Sequence, residues 1–174
     1  GKFGGGGYKV SGGLHGVGMS VVNALSTLLE VEILRDGKVY RQTFCQGRTT
    51  SPLEVIGTAS DTGTKIHFVP DPAIFTDTTV YDFKVLRKRL KELAFLNKGL
   101  TISLKDEREG MEQEEVYLQN GGIIDFVQSL NEGKDGVTDV IYFEGERDGV
   151  QVEIALQYTD SYSENIKPFA NNIS

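Results

Sequence analysis

One segment near the start of the chain dominates its interpretation: Tyr8-Lys9-Val10-Ser11-Gly12-Gly13-Leu14-His15-Gly16-Val17-Gly18. It follows a four-glycine run and is followed at once by apolar residues at helical spacing over 17–29. Because glycine has no Cβ, backbone N–H groups in such a loop can approach a ligand closely. Together with the free amides at a helix N-terminus, they favour an anion such as phosphate.

The order of the glycines narrows the kind of phosphate site. Gly13-x-x-Gly16-x-Gly18 is the reverse of the dinucleotide fingerprint, and the P-loop pattern G-x-x-x-x-G-K-[ST] does not occur. A flexible linker is the alternative for the four glycines alone, although linkers are not normally followed directly by a patterned helix. Lys2 is placed to offset phosphate charge. His15 could be a general base, a phosphate donor or a spacer that contributes its backbone N–H.

Composition limits the class of protein. The chain has 174 residues, 39% hydrophobic and 25% charged, which suits a globular domain. No apolar run approaches the ~20 residues of a membrane span. The single Cys45 cannot form an internal disulfide, so a reducing cytoplasm is the simplest setting, and a core or edge position in a strand is expected for it. With a net charge of -7, the segment is a poor DNA-binding surface by itself.

The remaining pattern predicts an α+β fold without the regular alternation of a doubly wound sheet. A hairpin is expected over 30–44, turned at Asp36-Gly37, and a second over 141–157, turned at Asp148-Gly149. His67 is expected to face away from the strand's apolar side. The other predicted elements are strands at 53–56, 62–69, 100–106 and 111–117, and helices at 17–29, 81–96 and 121–131. The basic residues of the second helix, Arg87 to Lys91, are interpreted as a solvated face rather than a binding patch.

Residues 1–26 closely resemble the ATP lid and following helix of the gyrase B family, which supplies the ATPase chains of bacterial type IIA topoisomerases. The resemblance extends along essentially the whole chain through Thr62-Gly63-Thr64, Leu93-Ala94-Phe95-Leu96-Asn97, Ala155-Leu156-Gln157-Tyr158, Glu164-Asn165-Ile166 and Phe169-Ala170-Asn171-Asn172-Ile173. It implies the C-terminal portion of a GHKL (Bergerat) ATPase α/β sandwich over 1–118. The start of a transducer domain would follow over 119–174, with the boundary near Asn120-Gly121-Gly122.

The resemblance also implies a set of nucleotide contacts. Backbone amides of the lid would hold the β- and γ-phosphates, and His15 would contact nucleotide without acting as a base. Lys2 would contact phosphate, Tyr8 would bond adenine, and Thr64 would lie beside the adenine-recognising carboxylate. Arg35 would lie at the pocket mouth, where aminocoumarin inhibitors reach. The implied ATP-binding residues are Lys2, Tyr8, Gly13, Leu14, His15, Gly16, Val17, Gly18 and Thr64.

Family precedent places the catalytic Glu, the Mg²⁺-binding Asn and the adenine-reading Asp before the lid, outside this chain. No catalytic residue or metal ligand is therefore expected within it, and we expect the fragment to be inactive alone. The implied cofactors are ATP and Mg²⁺. The implied partners are gyrase A, in a tetramer with two copies each of gyrase A and gyrase B, a second copy of the ATPase domain, and DNA through the parent complex. No membrane association is expected.

Three alternatives stay open from the sequence, the first within the same class of enzyme and the other two outside it. The ATPase chain of topoisomerase IV has nearly the same lid. A non-catalytic scaffolding module would use the glycine loop as a linker. A histidine-kinase catalytic domain shares the reversed glycine order, although the long hairpin and transducer-like segment after Gly121 argue against it.

Overall fold

The computed structural model describes residues 17–170 and 172–173. Their contacts divide them into two compact units. The described residues of the first unit are 17–80 together with Ile173, and those of the second are 81–170 together with Asn172. This division falls between Val80 and Tyr81, so the predicted domain boundary near Asn120 lies inside the second unit and stays a prediction.

The described residues form three helices and nine strands, and every strand pairing among them is antiparallel. The fold is therefore α+β, as predicted. In chain order the elements are α1 (Val17–Ala24), β1 (Ser26–Arg35), β2 (Lys38–Cys45), β3 (Arg48–Thr49), β4 (Glu54–Thr58), β5 (Gly63–Pro70), α2 (Phe83–Leu96), β6 (Thr101–Asp106), β7 (Gln113–Leu118), α3 (Ile123–Leu130), β8 (Ile141–Arg147) and β9 (Val150–Leu156).

The first helix is shorter than predicted. Helical spacing had suggested a helix over 17–29, but α1 ends at Ala24 and β1 begins at Ser26. The Ser26 hydroxyl donates to the Val22 carbonyl at 2.6 Å, which satisfies a carbonyl of the last turn. Leu28 and Leu29 also fit a strand that is paired on both sides, because short apolar runs have no decisive period.

The first unit is built on a five-stranded sheet in the order β3-β2-β1-β5, with β4 also paired to β2. Leu29 of β1, opposite Phe68 of β5, is 2% exposed. The other face of the sheet is polar, since Glu30 forms an ion pair with Arg41 at 2.7 Å. His67, opposite Glu30, lies on this polar face and is exposed, as predicted.

Both predicted hairpin turns are confirmed. Asp36 and Gly37 have φ values of 52° and 75°, and Asp148 and Gly149 have φ values of 54° and 77°. Two consecutive residues with positive φ make the turn whose twist matches that of antiparallel strands, which explains the choice of Asp-Gly at both. Cys45 ends β2 and is half-buried, in agreement with a strand position.

The second unit places α2 against the β6–β7 hairpin and against α3, while α3 also packs against β9. Its core includes Ala94 and Phe95 of α2, which are 0% and 4% exposed. The Phe95 ring stacks on Phe126 of α3 at a centroid distance of 5.1 Å, and Phe126 contacts Phe169 at 6.1 Å. The basic face of α2 is partly paired, since Arg87 contacts Glu115 at 3.4 Å.

Candidate functional site

The residues predicted to bind nucleotide are only partly described. Lys2, Tyr8, Gly13, Leu14, His15 and Gly16 lie outside the described residues. Val17 and Gly18 form the start of α1, and Thr64 and Arg35 lie on the sheet of the first unit. Their assigned roles stay predictions.

The first turn of α1 is exposed in the part of the chain that the structure describes. Val17 is 52% exposed, and a Cβ added to Gly18 would meet nothing within 4 Å among the described residues. The first amides of an α-helix have no partner within the helix, and those of Val17 and Gly18 lie at the end of α1 that follows the glycine-rich stretch. The turn contains no acidic residue, and none occurs in the first 29 residues of a chain that has 25. This stretch therefore brings no carboxylate of its own to compete with a bound anion.

The opposite end of α1 is held by a group of hydrogen bonds that we call the α1 anchor, made by Leu25, Ser26, Gln46, Gly47 and Asp71. The Asp71 N–H donates to the Leu25 carbonyl at 2.9 Å, and the Gln46 N–H donates to the Ser26 carbonyl at 2.8 Å. The Gly47 N–H donates to a carbonyl within α1 itself, at 3.1 Å. The Gln46 side chain donates to Asp71 Oδ2 at 2.6 Å, and Asp71 is 3% exposed.

The α1 anchor was not predicted from the sequence. Gln46 and Gly47 form a turn with φ values of 49° and 79°, and a Cβ on Gly47 would lie 3.7 Å from the Ala24 Cα. The only sequence signals are this Gln-Gly pair after a strand and an Asp between two prolines. Neither reveals that the two loops meet beneath one helix.

Thr64 and Arg35 lie together at the turn end of β1. Thr64 is opposite Ile33, so Arg35 is its diagonal neighbour on the same face, a relation that spans about 7–8 Å. The Arg35 side chain is 75% exposed and 3.5 Å from Asp36. Ser26, beside the end of α1, begins the same strand nine residues earlier, about 30 Å away in an extended strand.

The N-terminus of α2 differs from that of α1. The Asp82 carboxylate accepts hydrogen bonds from the backbone N–H groups of Lys84 and Val85, at 2.7 and 3.2 Å. Beside it lies an open groove of about 370 Å³. The groove is lined by Tyr81, Asp82, Phe83, Lys84, Arg87, Arg108 and Gln113. Its two arginines are already paired with carboxylates, which reduces the positive charge that they offer to an anion.

Arg108 links two of the segments that line this groove. Its Nε donates to Asp106 Oδ1 at 2.8 Å, and its Nη1 donates to the Tyr81 carbonyl at 3.1 Å. Hydrogen bonding from the Arg108 guanidinium lowers the pKa of Asp106 to about 2. The pair fixes the residue that precedes the α2 cap, which is a structural role.

Neither a metal site nor a membrane-spanning helix is found in the part of the chain that the structure describes. No group of three His, Cys, Asp or Glu side chains in 17–170 and 172–173 is arranged to hold a metal ion. None of the helices described is long and apolar enough to cross a membrane.

Comparison with known proteins identifies the family of the chain. The family model described as DNA gyrase B matches residues 122–174. The DNA gyrase B protein of Streptococcus pyogenes serotype M1 is 59% identical over 99% of this chain and 27% of its own length. Its counterpart from Enterococcus faecalis is 56% identical over the same shares. The chain belongs to the DNA gyrase B family. It spans about a quarter of the length of these relatives.

A solved gyrase B structure confirms the fold. The 43K ATPase domain of Thermus thermophilus gyrase B, crystallised in complex with an aminocoumarin, is 39% identical. It superposes with a TM-score of 0.76, covering 86% of this chain and 41% of that one. The predicted family and the predicted GHKL-type sandwich fragment are both confirmed.

Two of the motifs that carried the family resemblance meet in the second unit. The Asn172 side-chain amide donates to Asn97 Oδ1 at 2.9 Å, and the Arg89 guanidinium donates to the Asn172 carbonyl at 2.7 Å. The motif at the end of α2 is therefore hydrogen-bonded to the motif near the end of the chain, within the residues that the gyrase B family model matches.

Proposed function

We propose that this chain is the lid and sheet portion of a gyrase B ATPase, in which the first turn of α1 receives the phosphates of ATP. The observation that carries the proposal is the glycine-rich stretch that leads into α1 and ends at Gly18, with no carboxylate before Glu30. Each hydrogen bond to a charged group contributes about 1.5–3 kcal/mol, whereas the helix dipole contributes about 0.3–1 kcal/mol. Several converging amides would thus dominate the binding of the phosphates.

In the whole gyrase B protein, ATP would close two ATPase domains on one another and drive passage of one DNA duplex through another, with negative supercoiling. Lys2, Tyr8 and Thr64 would contact the nucleotide, and Arg35 would border its pocket. Mg²⁺ and the water-activating base would be held by residues outside this chain, so the fragment alone would not hydrolyse ATP. Gyrase A would complete the cytoplasmic enzyme, and residues 119–174 would begin the transducer.

The test is nucleotide binding by the full-length protein carrying Gly18→Ala. A Cβ at this position has no neighbour in the described structure to displace, so the fold should be kept. The methyl group would stand where a phosphate oxygen needs the backbone, and we expect the Kd of a non-hydrolysable ATP analogue to rise roughly tenfold.

Gly145→Ala is the matched control, because Gly145 also has an open surrounding but lies in β8. It should leave the Kd of the analogue unchanged. Wild-type affinity in Gly18→Ala would contradict close backbone approach of phosphate at the start of α1.

A further inference from the structure

The α1 anchor holds the C-terminal end of α1, and the direction in which it holds the helix determines where the first turn lies. α1 has eight residues, about 12 Å of helix, and helices of this length are marginal in isolation. Its direction is therefore set by what holds it from outside. The anchor joins the end of α1 to the β2–β3 turn and to the segment after β5, so three separate parts of the chain converge there.

Among the described residues of the α1 anchor, only Gln46 and Asp71 form a hydrogen bond between two side chains. Asp71 Oδ2 accepts from the Gln46 amide at 2.6 Å, and Asp71 Oδ1 accepts from the Ala73 N–H at 2.9 Å. A buried carboxylate is costly to leave unpaired, so this link resists rearrangement. Gln46 is at a turn and exposed, which makes it the part of the link that can be changed with least effect on the core.

We propose that Gln46 and Asp71 are positioning residues for the nucleotide, acting through α1 on its first turn. This inference rests on the proposed function. A tilt of about 5° about the anchored end moves the first turn of a helix this long by about 1 Å. Displacements of that size are enough to weaken oriented contacts strongly. The link between the two side chains therefore tunes nucleotide affinity without touching nucleotide.

The test uses the full-length protein with Gln46→Glu, which replaces the amide donor with a second carboxylate facing Asp71. We expect the Kd of a non-hydrolysable ATP analogue to rise roughly tenfold while binding stoichiometry is kept. Adding Asp71→Asn restores a donor and an acceptor in the opposite sense, so the double variant should return to within about twofold of wild type.

Gln151→Glu is the matched control. The Gln151 amide donates to Glu146 at 3.3 Å in the β8–β9 hairpin, so this change also turns an amide–carboxylate pair into two carboxylates, in the other unit. It should leave the Kd unchanged. A merely structural role of the α1 anchor would lower the stoichiometry or the melting temperature without changing the Kd of the bound fraction.

The outcomes separate the two proposals. Wild-type Kd in Gln46→Glu, or failure of the double variant to restore it, overturns the positioning role while leaving the nucleotide site intact. Absence of analogue binding by the wild-type protein overturns the proposed function itself. If Gln46→Glu does not fold, Gln46→Met removes the donor without adding charge, and an unchanged Kd in that variant overturns the positioning role equally.

Discussion

The helices α1 and α2 begin in opposite ways. At α2, the Asp82 carboxylate occupies the free amides of the first turn, and Arg108 holds the residue before it. At α1, no acidic residue lies in the first turn, and no described residue comes within 4 Å of a Cβ built on Gly18. Both helix ends have the same partial positive charge, and the difference lies only in what the sequence supplies to meet it. A helix start capped by its own carboxylate repels an external anion more than a first turn that carries no acidic residue.

The largest effect is expected when α1 is given an acidic residue in its first turn, like the carboxylate at the start of α2. Gly18→Asp places a negative charge beside the proposed phosphate position, and we expect a loss of about 2–3 kcal/mol, or a roughly 30- to 150-fold higher Kd for an ATP analogue. The same carboxylate should stabilise α1 itself by about 0.3–1 kcal/mol, because Asp favours the first turn.

Binding titrations and thermal melts of the full-length protein would measure these two opposite effects. Gly18→Asn, similar in size and uncharged, should retain much more affinity than Gly18→Asp. Equal affinity in the two variants would mean that charge at the start of α1 is irrelevant to nucleotide.

The second prediction concerns α2, from which the N-cap carboxylate of Asp82 is removed. Asp82→Ala leaves the N–H groups of Lys84 and Val85 without their acceptor, which should destabilise the second unit by about 1 kcal/mol. Chemical denaturation would measure the loss, and Asp82→Asn should recover most of it. Nucleotide affinity should stay at the wild-type value, since a decrease would show that α2 is not purely structural.

The last effect expected is confined to acid pH and concerns the Asp106–Arg108 pair beside the start of α2. The pKa of Asp106 is about 2 in the folded chain, below the ordinary value of about 4 for an unfolded chain. The unfolded chain therefore takes up the proton first as the pH falls. The stabilisation is complete above pH ~4 and is lost as the pH falls through about 2.

Asp106→Asn should flatten this part of the curve when the free energy of unfolding is measured between about pH 2 and 6. An unchanged slope in the variant would assign the acid sensitivity to other carboxylates. Nucleotide affinity at neutral pH should not respond to the substitution.

Much of the fold was predictable because local chemistry decided it. The two Asp-Gly turns, the alternating strands and the amphipathic α2 were all found in the sequence, since turn chemistry and side-chain period act over a few residues. The predicted helix from Val17 was too long, because Leu25, Leu28 and Leu29 fit both the helical and the strand period. Pairing of β1 with β2 and β5 on its two sides favoured the strand.

The sequence by itself determined the composition of the start of α1, because its glycines, its lack of nearby acids and its family resemblance all lie in one continuous stretch. Only the tertiary structure decided how the other end of that helix is held. Gln46 and Asp71 are 25 residues apart, and they come together because β2 and β5, which precede them, pair with the two sides of β1. Contacts between distant residues depend on how strands pair, and strand pairing is set by the burial of whole faces rather than by neighbouring residues.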